Sequence, residues 1–190
     1  MPRILLLALL LGAPTACQAA PSAATATTVC RSAVAGEAGS DLLPELTGRV
    51  VDGADLLPPA VEARVDGALA ALERRTTDQL IVVTVTDLKG EAIEDYGLRL
   101  GNGWGIGRED IDNGVLLIVA PNERRVRIEV GCGLEGLLTN ERAAQIIDET
   151  LLPAFKAEEF EKGIVAGVEA IAATLRSDPA RPQPGRKRAA

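Results

Sequence analysis

The chain has 190 residues, of which 47% are apolar and 25% charged, with a net charge of -7 and no histidine. This length fits one ordinary domain with a real core, and the charge argues against a nucleic-acid binder because the only basic run is the short Arg186-Lys187-Arg188 end, which reads as a solvated tail. Without histidine there is no Ser-His-Asp triad, no histidine-ligated zinc and no phosphohistidine chemistry, so any catalysis must use carboxylates, a metal or main-chain donors.

Met1-Pro2-Arg3, an apolar run over 4–11 and small residues up to Ala16-Cys17 read as a signal peptide over residues 1–17, too short to be a membrane span. The chain is therefore expected to be exported. Ala13-Pro14-Thr15-Ala16-Cys17 resembles the bacterial lipoprotein signal, which implies lipidation of Cys17 and a membrane anchor in the cell envelope or periplasm. Pro14 departs from that pattern, and secretory cleavage near Ala19 or Ala20 is the alternative. Cys30 and Cys132 are then left, and an exported compartment permits either a disulfide between them or two free thiols.

Residues 18–46 are rich in Ala, Thr, Ser and Gly without periodicity, as a flexible tether would be. The folded body is expected over 47–176. Residues 177–190 hold three prolines and basic residues with almost nothing to bury, and read as a disordered tail. Within the body, Arg49-Val50-Val51 is a short extended piece. Pro58-Pro59 opens a helix whose apolar residues Val61, Val65, Leu69 and Leu72 recur at helical spacing. Residues 79–86 are β-branched and apolar on both faces, which predicts a buried central strand. A short helix over 91–100 leads to a loop at Trp104, and 115–120 is a second buried strand; this strand–helix–strand order implies a right-handed parallel crossover. After the turn Pro121-Asn122-Glu123-Arg124, Val126, Ile128 and Val130 alternate with Arg125, Arg127 and Glu129, giving a half-exposed strand and an antiparallel hairpin. Thr139 can cap a helix running up to Pro153, and a last helix carries Phe160, Ile164, Val168, Ile171 and Leu175 on one face. The expected fold is α/β: a three-layer α/β/α sandwich around a small mixed sheet.

In a hairpin the start of the first strand and the end of the second share one edge. Asp112-Asn113-Gly114 must therefore lie near Gly131-Cys132-Gly133-Leu134-Glu135-Gly136, and the loop Gly103-Trp104-Gly105-Ile106-Gly107 feeds into the same place. The segment from Gly131 to Gly136 spells the dinucleotide fingerprint, but no parallel strand with a ribose ligand follows, and Glu135 would set negative charge beside the pyrophosphate. No nucleotide cofactor is expected. Oxygen atoms of Asp112, Asn113 and Glu135, with help from Asp52, Asp110 or main-chain carbonyls, suit a hard divalent cation, calcium or magnesium. Gly105, Gly107, Gly114, Gly131, Gly133 and Gly136 would shape such a site. The competing reading is that Asp112 and Asn113 make a turn and Glu135 is solvated. Arg125 and Arg127 read as the polar face of an edge strand.

Val51-Asp52-Gly53-Ala54-Asp55-Leu56-Leu57, Trp104-Gly105-Ile106-Gly107, Asp112-Asn113-Gly114-Val115-Leu116-Leu117 and Arg127-Ile128-Glu129-Val130-Gly131-x-Gly133-Leu134-Glu135-Gly136 resemble the TPM domain, in order and spacing, over about residues 47–176. That family includes thylakoid and bacterial envelope proteins. The resemblance implies an α/β/α sandwich, divalent-metal binding, and either weak acid-phosphatase activity or an accessory role in a membrane or envelope complex. Carried over by motif, Asp52, Asp112, Asn113 and Glu135 are the metal candidates; no catalytic residue is assigned. Three functions follow as expectations: a metal-binding accessory module with an envelope protein partner, a metal-dependent phosphomonoesterase, or a metal-free interaction module.

Overall fold

A computed structural model of the protein describes residues 43–178. The chain divides into two units, Met1–Cys30 and Arg31–Ala190, and all described residues belong to the second. The expected signal peptide, the lipidated Cys17 and most of the tether and tail lie outside the described residues.

The elements follow as β1 Val50–Asp52, α1 Pro59–Thr76, β2 Gln79–Thr84, α2 Ile93–Trp104, β3 Gly114–Ala120, β4 Arg125–Val130, α3 Asn140–Ile146, α4 Leu152–Lys156 and α5 Phe160–Arg176. They build a four-stranded sheet in the order β1-β2-β3-β4, with β1, β2 and β3 parallel and β4 antiparallel to β3. Alternation along the strands sends Leu80, Val82, Leu117 and Val119 to one face, where α1, α3 and α5 bury Val65, Leu69, Ile146, Ile164 and Ile171. Ile81, Val83, Leu116 and Ile118 face the other way and pack under Ile93, Tyr96 and Leu100 of α2. This is the three-layer α/β/α sandwich with a small mixed sheet.

One of the two crossovers departs from the right-handed rule. Strand order follows chain order, so both parallel crossovers step the same way across the sheet, yet α1 and α2 cover opposite faces. Two successive right-handed crossovers in one direction would stack both helices on one face, so one of these two is left-handed.

Three boundaries also move. The second helix extends to Trp104, and Gly105 (φ 61) closes it in the left-handed conformation, so Gly103 and Trp104 form the last helical turn rather than a loop. The body begins before 47: Leu43 lies where a Cβ on Gly103 would strike it, and Trp104 Nε1 donates to the Pro44 carbonyl at 3.0 Å. Pro153 does not end its helix either. A π-helical turn over Ile147–Leu151 widens the coil just ahead of it, and the coil continues through Pro153 in the first turn of α4. Thr139 caps α3 as expected, its side chain accepting from Arg142 N–H at 3.2 Å.

Candidate functional site

Three segments meet at the edge where β2 and β3 begin and β4 ends, and they meet main chain to main chain. A Cβ on Gly107 (φ 99) would stand 2.7 Å from the nitrogen of Gly114, and one on Gly114 would stand 2.5 Å from the carbonyl oxygen of Ile106. Side chains on Gly131 and Gly133 would run into the carbonyl oxygens of Asp112 and Ile111. These four glycines are spaces that one loop vacates for the backbone of the next. Gly105 closes α2, and Gly136 has open space around it.

Asp112 and Asn113 fasten this stack. Asp112 holds a left-handed backbone (φ 46), a conformation that Asp tolerates better than most residues. Its N–H donates to the Arg108 carbonyl at 2.7 Å and its carbonyl accepts from Gly133 N–H at 3.0 Å. One carboxylate oxygen, Oδ2, accepts from Cys132 N–H at 3.0 Å. Asn113 is 3% exposed. Its Oδ1 accepts from Arg108 N–H at 2.9 Å, while Nδ2 donates to the Thr77 carbonyl at 2.7 Å and to Asp78 Oδ1 at 3.2 Å. One amide thus joins the α1–β2 junction to the loop before β3.

Asp52 lies elsewhere. It pairs in register with Thr84, level with Val119, whereas Asn113 precedes Gly114, which is level with Gln79. The residues between Gln79 and Thr84 put about 17 Å of strand between the two sheet ends. At its own end Asp52 accepts from Leu56 N–H (Oδ1, 3.1 Å), Leu57 N–H (Oδ2, 2.7 Å) and the Thr84 hydroxyl, closing the loop that leads to α1. Asp112, Asn113 and the segment containing Glu135 are brought together; Asp52 does not join them.

The donor set is a poor fit to a hard cation, which takes six or more oxygens around one point. Asn113 Oδ1, Asp112 Oδ2 and both oxygens of Asp52 already accept hydrogen bonds from the protein, and Asp110 pairs with Arg108 at 3.1 Å. Glu135 is exposed, just past the 3₁₀ turn Cys132–Leu134. Among the described residues, no three His, Cys, Asp or Glu side chains are grouped to hold a metal. Cys132 is disulfide-bonded, and Cys30, the candidate partner, lies outside the described residues.

Sequence reasoning missed Thr77, Asp78, Gln79 and Arg108. Gln79 Oε1 accepts from Gly107 N–H at 2.8 Å and its Nε2 donates to Glu73 at 3.2 Å; Glu73 in turn holds Arg49 at 2.6 Å. Asp78 is fully buried beside Asn113. A cavity of about 380 Å³ opens next to this group, lined by Arg75, Thr77, Asp78, Ile111, Asn113 and Leu134. The available signal was topological: β2 and β3 are parallel neighbours, so the polar triplet that leads into β2, Thr77, Asp78 and Gln79, had to sit beside Asn113.

A model of the TPM domain matches residues 50–174. The chain belongs to the TPM domain family. The TPM fold is shared with the solved N-terminal domain of a protein from P. gingivalis, 34% identical, covering 71% of this chain and 86% of that one with a TM-score of 0.66. More distant likenesses are the N-terminal domain of the cg2496 protein of Corynebacterium glutamicum (14% identity, 78% and 95% covered, TM-score 0.55) and BA42 from Bizionia argentinensis (19%, 63% and 81%, 0.55). At that identity they speak to the TPM fold alone. No curated protein matches the chain.

Proposed function

We propose that this TPM-domain protein is a non-catalytic accessory module of the bacterial cell envelope, exported, held at a membrane through a lipid on Cys17, and acting by binding another envelope protein. The observation that carries the reading is the use made of the polar side chains at the loop convergence. Asp112 Oδ2 and the Asn113 amide, which a hydrolase would need as base or metal ligand, are engaged with main-chain N–H and C=O groups of neighbouring loops. General base catalysis needs a group within reach of a water on the substrate side, and metal catalysis needs open oxygen donors. A rigid, glycine-packed loop edge suits presentation of a surface instead. The lipoprotein-like stretch Ala13-Pro14-Thr15-Ala16-Cys17 supports Cys17 as the anchor, and among the described residues no helix is long and apolar enough to cross a membrane.

The competing reading is a calcium- or magnesium-binding module or phosphomonoesterase, and it draws on the acidic loop Glu109, Asp110 and Asp112. Thermal unfolding with and without calcium or magnesium separates the two. A cation with a dissociation constant of ~0.1 mM would add about 1.4 kcal/mol at 1 mM, worth roughly 5 °C in a body of this size. The accessory reading expects no such shift and no turnover of a generic phosphomonoester. A shift of that size abolished by Asp112→Ala, or turnover abolished by the same change, overturns it. The anchor is checked apart from this, by fractionating cells expressing Cys17→Ser, which should leave the membrane.

A further inference from the structure

Hydrogen-bond parity decides which main-chain groups of β4 face outward. Gln79 N–H donates to Asn113 C=O at 3.1 Å and Val85 N–H to Val119 C=O at 2.9 Å, so the odd-numbered residues of β3 serve β2. Gly131 N–H donates to Gly114 C=O at 2.8 Å, so the even-numbered residues serve β4. In the antiparallel ladder the inward-bonded residues of β4 are then Arg125, Arg127 and Glu129, while Val126, Ile128 and Val130 point their N–H and C=O groups away from the sheet. No described residue hydrogen-bonds to them.

We propose that this edge is the self-association surface of the protein, with β4 pairing antiparallel to β4 of a second copy about a two-fold axis at Ile128. The two four-stranded sheets then run on as one. In this register Ile128 stands opposite its own copy and Val126 opposite Val130, and these are the outward-facing pairs that can exchange hydrogen bonds. Arg127 stands opposite Glu129 of the second copy.

The charges favour this occupant. Arg127 and Glu129 share the α2 face of the sheet, both packing where Gly97 leaves room, and Arg127 Nε lies 2.5 Å from Glu129. Charged residues on an edge strand usually deter pairing, because like charges come to lie opposite one another. A strand with one cation and one anion two residues apart is different: antiparallel pairing about the residue between them sets each cation against an anion. The two intrachain pairs then merge into a closed ring of alternating charge.

A second feature lies on the same flank. Gly97 of α2 sits over Ile118, Arg127 and Glu129, and Gly101 sits over Leu116. Gly103 abuts Leu43, and the neighbouring Trp104 lines a cavity with Gly48, Arg49 and Ile81 on the β1–β2 side. Tyr96 shares that side of the helix with Gly103, so Leu98, about 100° from Gly97 in the opposite sense, faces the open edge of β4. It is 44% exposed. The two-fold axis brings α2 and its copy side by side, about 10 Å apart if each lies over β3 and β4, with Leu98 on the facing flanks.

Sedimentation velocity on the protein at micromolar concentrations tests the arrangement by complementation. Wild type is expected to sediment as a dimer. Arg127→Glu and Glu129→Arg each set like charges opposite one another twice across the axis, and each alone should weaken the dimer about tenfold or more. Mixed in equal amounts, the two variants restore opposite charges at both places and should dimerise again. Leu98→Glu changes an exposed residue, leaves the circular dichroism spectrum unaltered and should also shift the protein to monomer. Amide exchange at Val126, Ile128 and Val130 should slow as concentration rises. A monomeric wild type at about 100 μM, single variants that dimerise as wild type does, or folded single variants that fail to complement one another would each overturn the proposal, as would an undisturbed Leu98→Glu dimer.

Discussion

Asn113→Ala removes the fastening between the α1–β2 junction and the loop before β3. Its three shortest hydrogen bonds are lost, from Arg108 N–H at 2.9 Å, to the Thr77 carbonyl at 2.7 Å and to Asp78 Oδ1 at 3.2 Å, along with a long contact to the Thr77 hydroxyl at 3.4 Å. At about 1 kcal/mol net for each, the cost is ~3 kcal/mol, with little relief from water at a residue 3% exposed. Urea unfolding followed by Trp104, the single tryptophan, should show the midpoint falling by about 1.5 M at an m-value of ~2 kcal/mol/M. Asn113→Asp makes the same point more sharply. If Asn113 were a cation ligand, a carboxylate there would keep or improve the site and calcium would rescue the variant. In the hydrogen-bond account the carboxylate loses the donor to Thr77 and is set against buried Asp78, so it is at least as destabilising as alanine and calcium does not help. A midpoint shift below about 0.3 M for Asn113→Ala, or calcium rescue of Asn113→Asp, would refute the reasoning.

Glycine substitutions should divide sharply along the motif. Gly133→Ala drives a Cβ into the Ile111 carbonyl and should cost more than ~3 kcal/mol, whereas Gly136→Ala meets nothing within 4 Å and should stay within about 0.5 kcal/mol, both read from denaturation midpoints. Asp52→Ala and Asn113→Ala should be additive to within about 0.5 kcal/mol in a double-mutant cycle, because the residues stand at opposite ends of the sheet; a larger coupling would place Asp52 in the loop site after all. The single tyrosine, Tyr96, is held above its ordinary pKa of 10.0 by burial, which outweighs the opposing pull of Arg99. The folded state keeps this proton longer than the unfolded chain does, so stability should decline as pH rises past 10, and ultraviolet difference titration should give a midpoint above that of free tyrosine. A midpoint at or below the free value would contradict the buried placement.

Much of the fold was legible because strand and helix periods differ. The β-branched run from Leu80 to Val83 and the spacing of Val61, Val65, Leu69 and Leu72 each admit one reading, and both elements are where those patterns put them. The handedness of the crossovers was not legible. It depends on which face each helix covers, and the apolar stripe of α2 fits either face of a sheet that is apolar on both sides. Pro153 misled for a related reason: a proline ends a regular helix, and nothing in Ile147-Asp148-Glu149-Thr150-Leu151 announces a wider turn.

The site shows where the pattern stops informing. Asp112-Asn113-Gly114 facing Gly131-Cys132-Gly133 is the composition of a ligand cradle, and it is equally that of loops stacked backbone on backbone. Both need glycine, the first to admit a ligand and the second to admit a neighbouring carbonyl. Both need short polar side chains, the first to bind outward and the second to satisfy main-chain groups that the stacking hides. The deciding quantity is the direction in which the oxygen atoms point. Asn113 Oδ1 points to Arg108 N–H and Asp112 Oδ2 to Cys132 N–H, while the vacated Cβ positions of Gly131 and Gly133 are filled by the backbone of Asp112 and Ile111. A cradle whose glycines are occupied and whose oxygens accept from its own walls fixes the edge of the sheet, so the surface proposed above would lose little conformational freedom on binding.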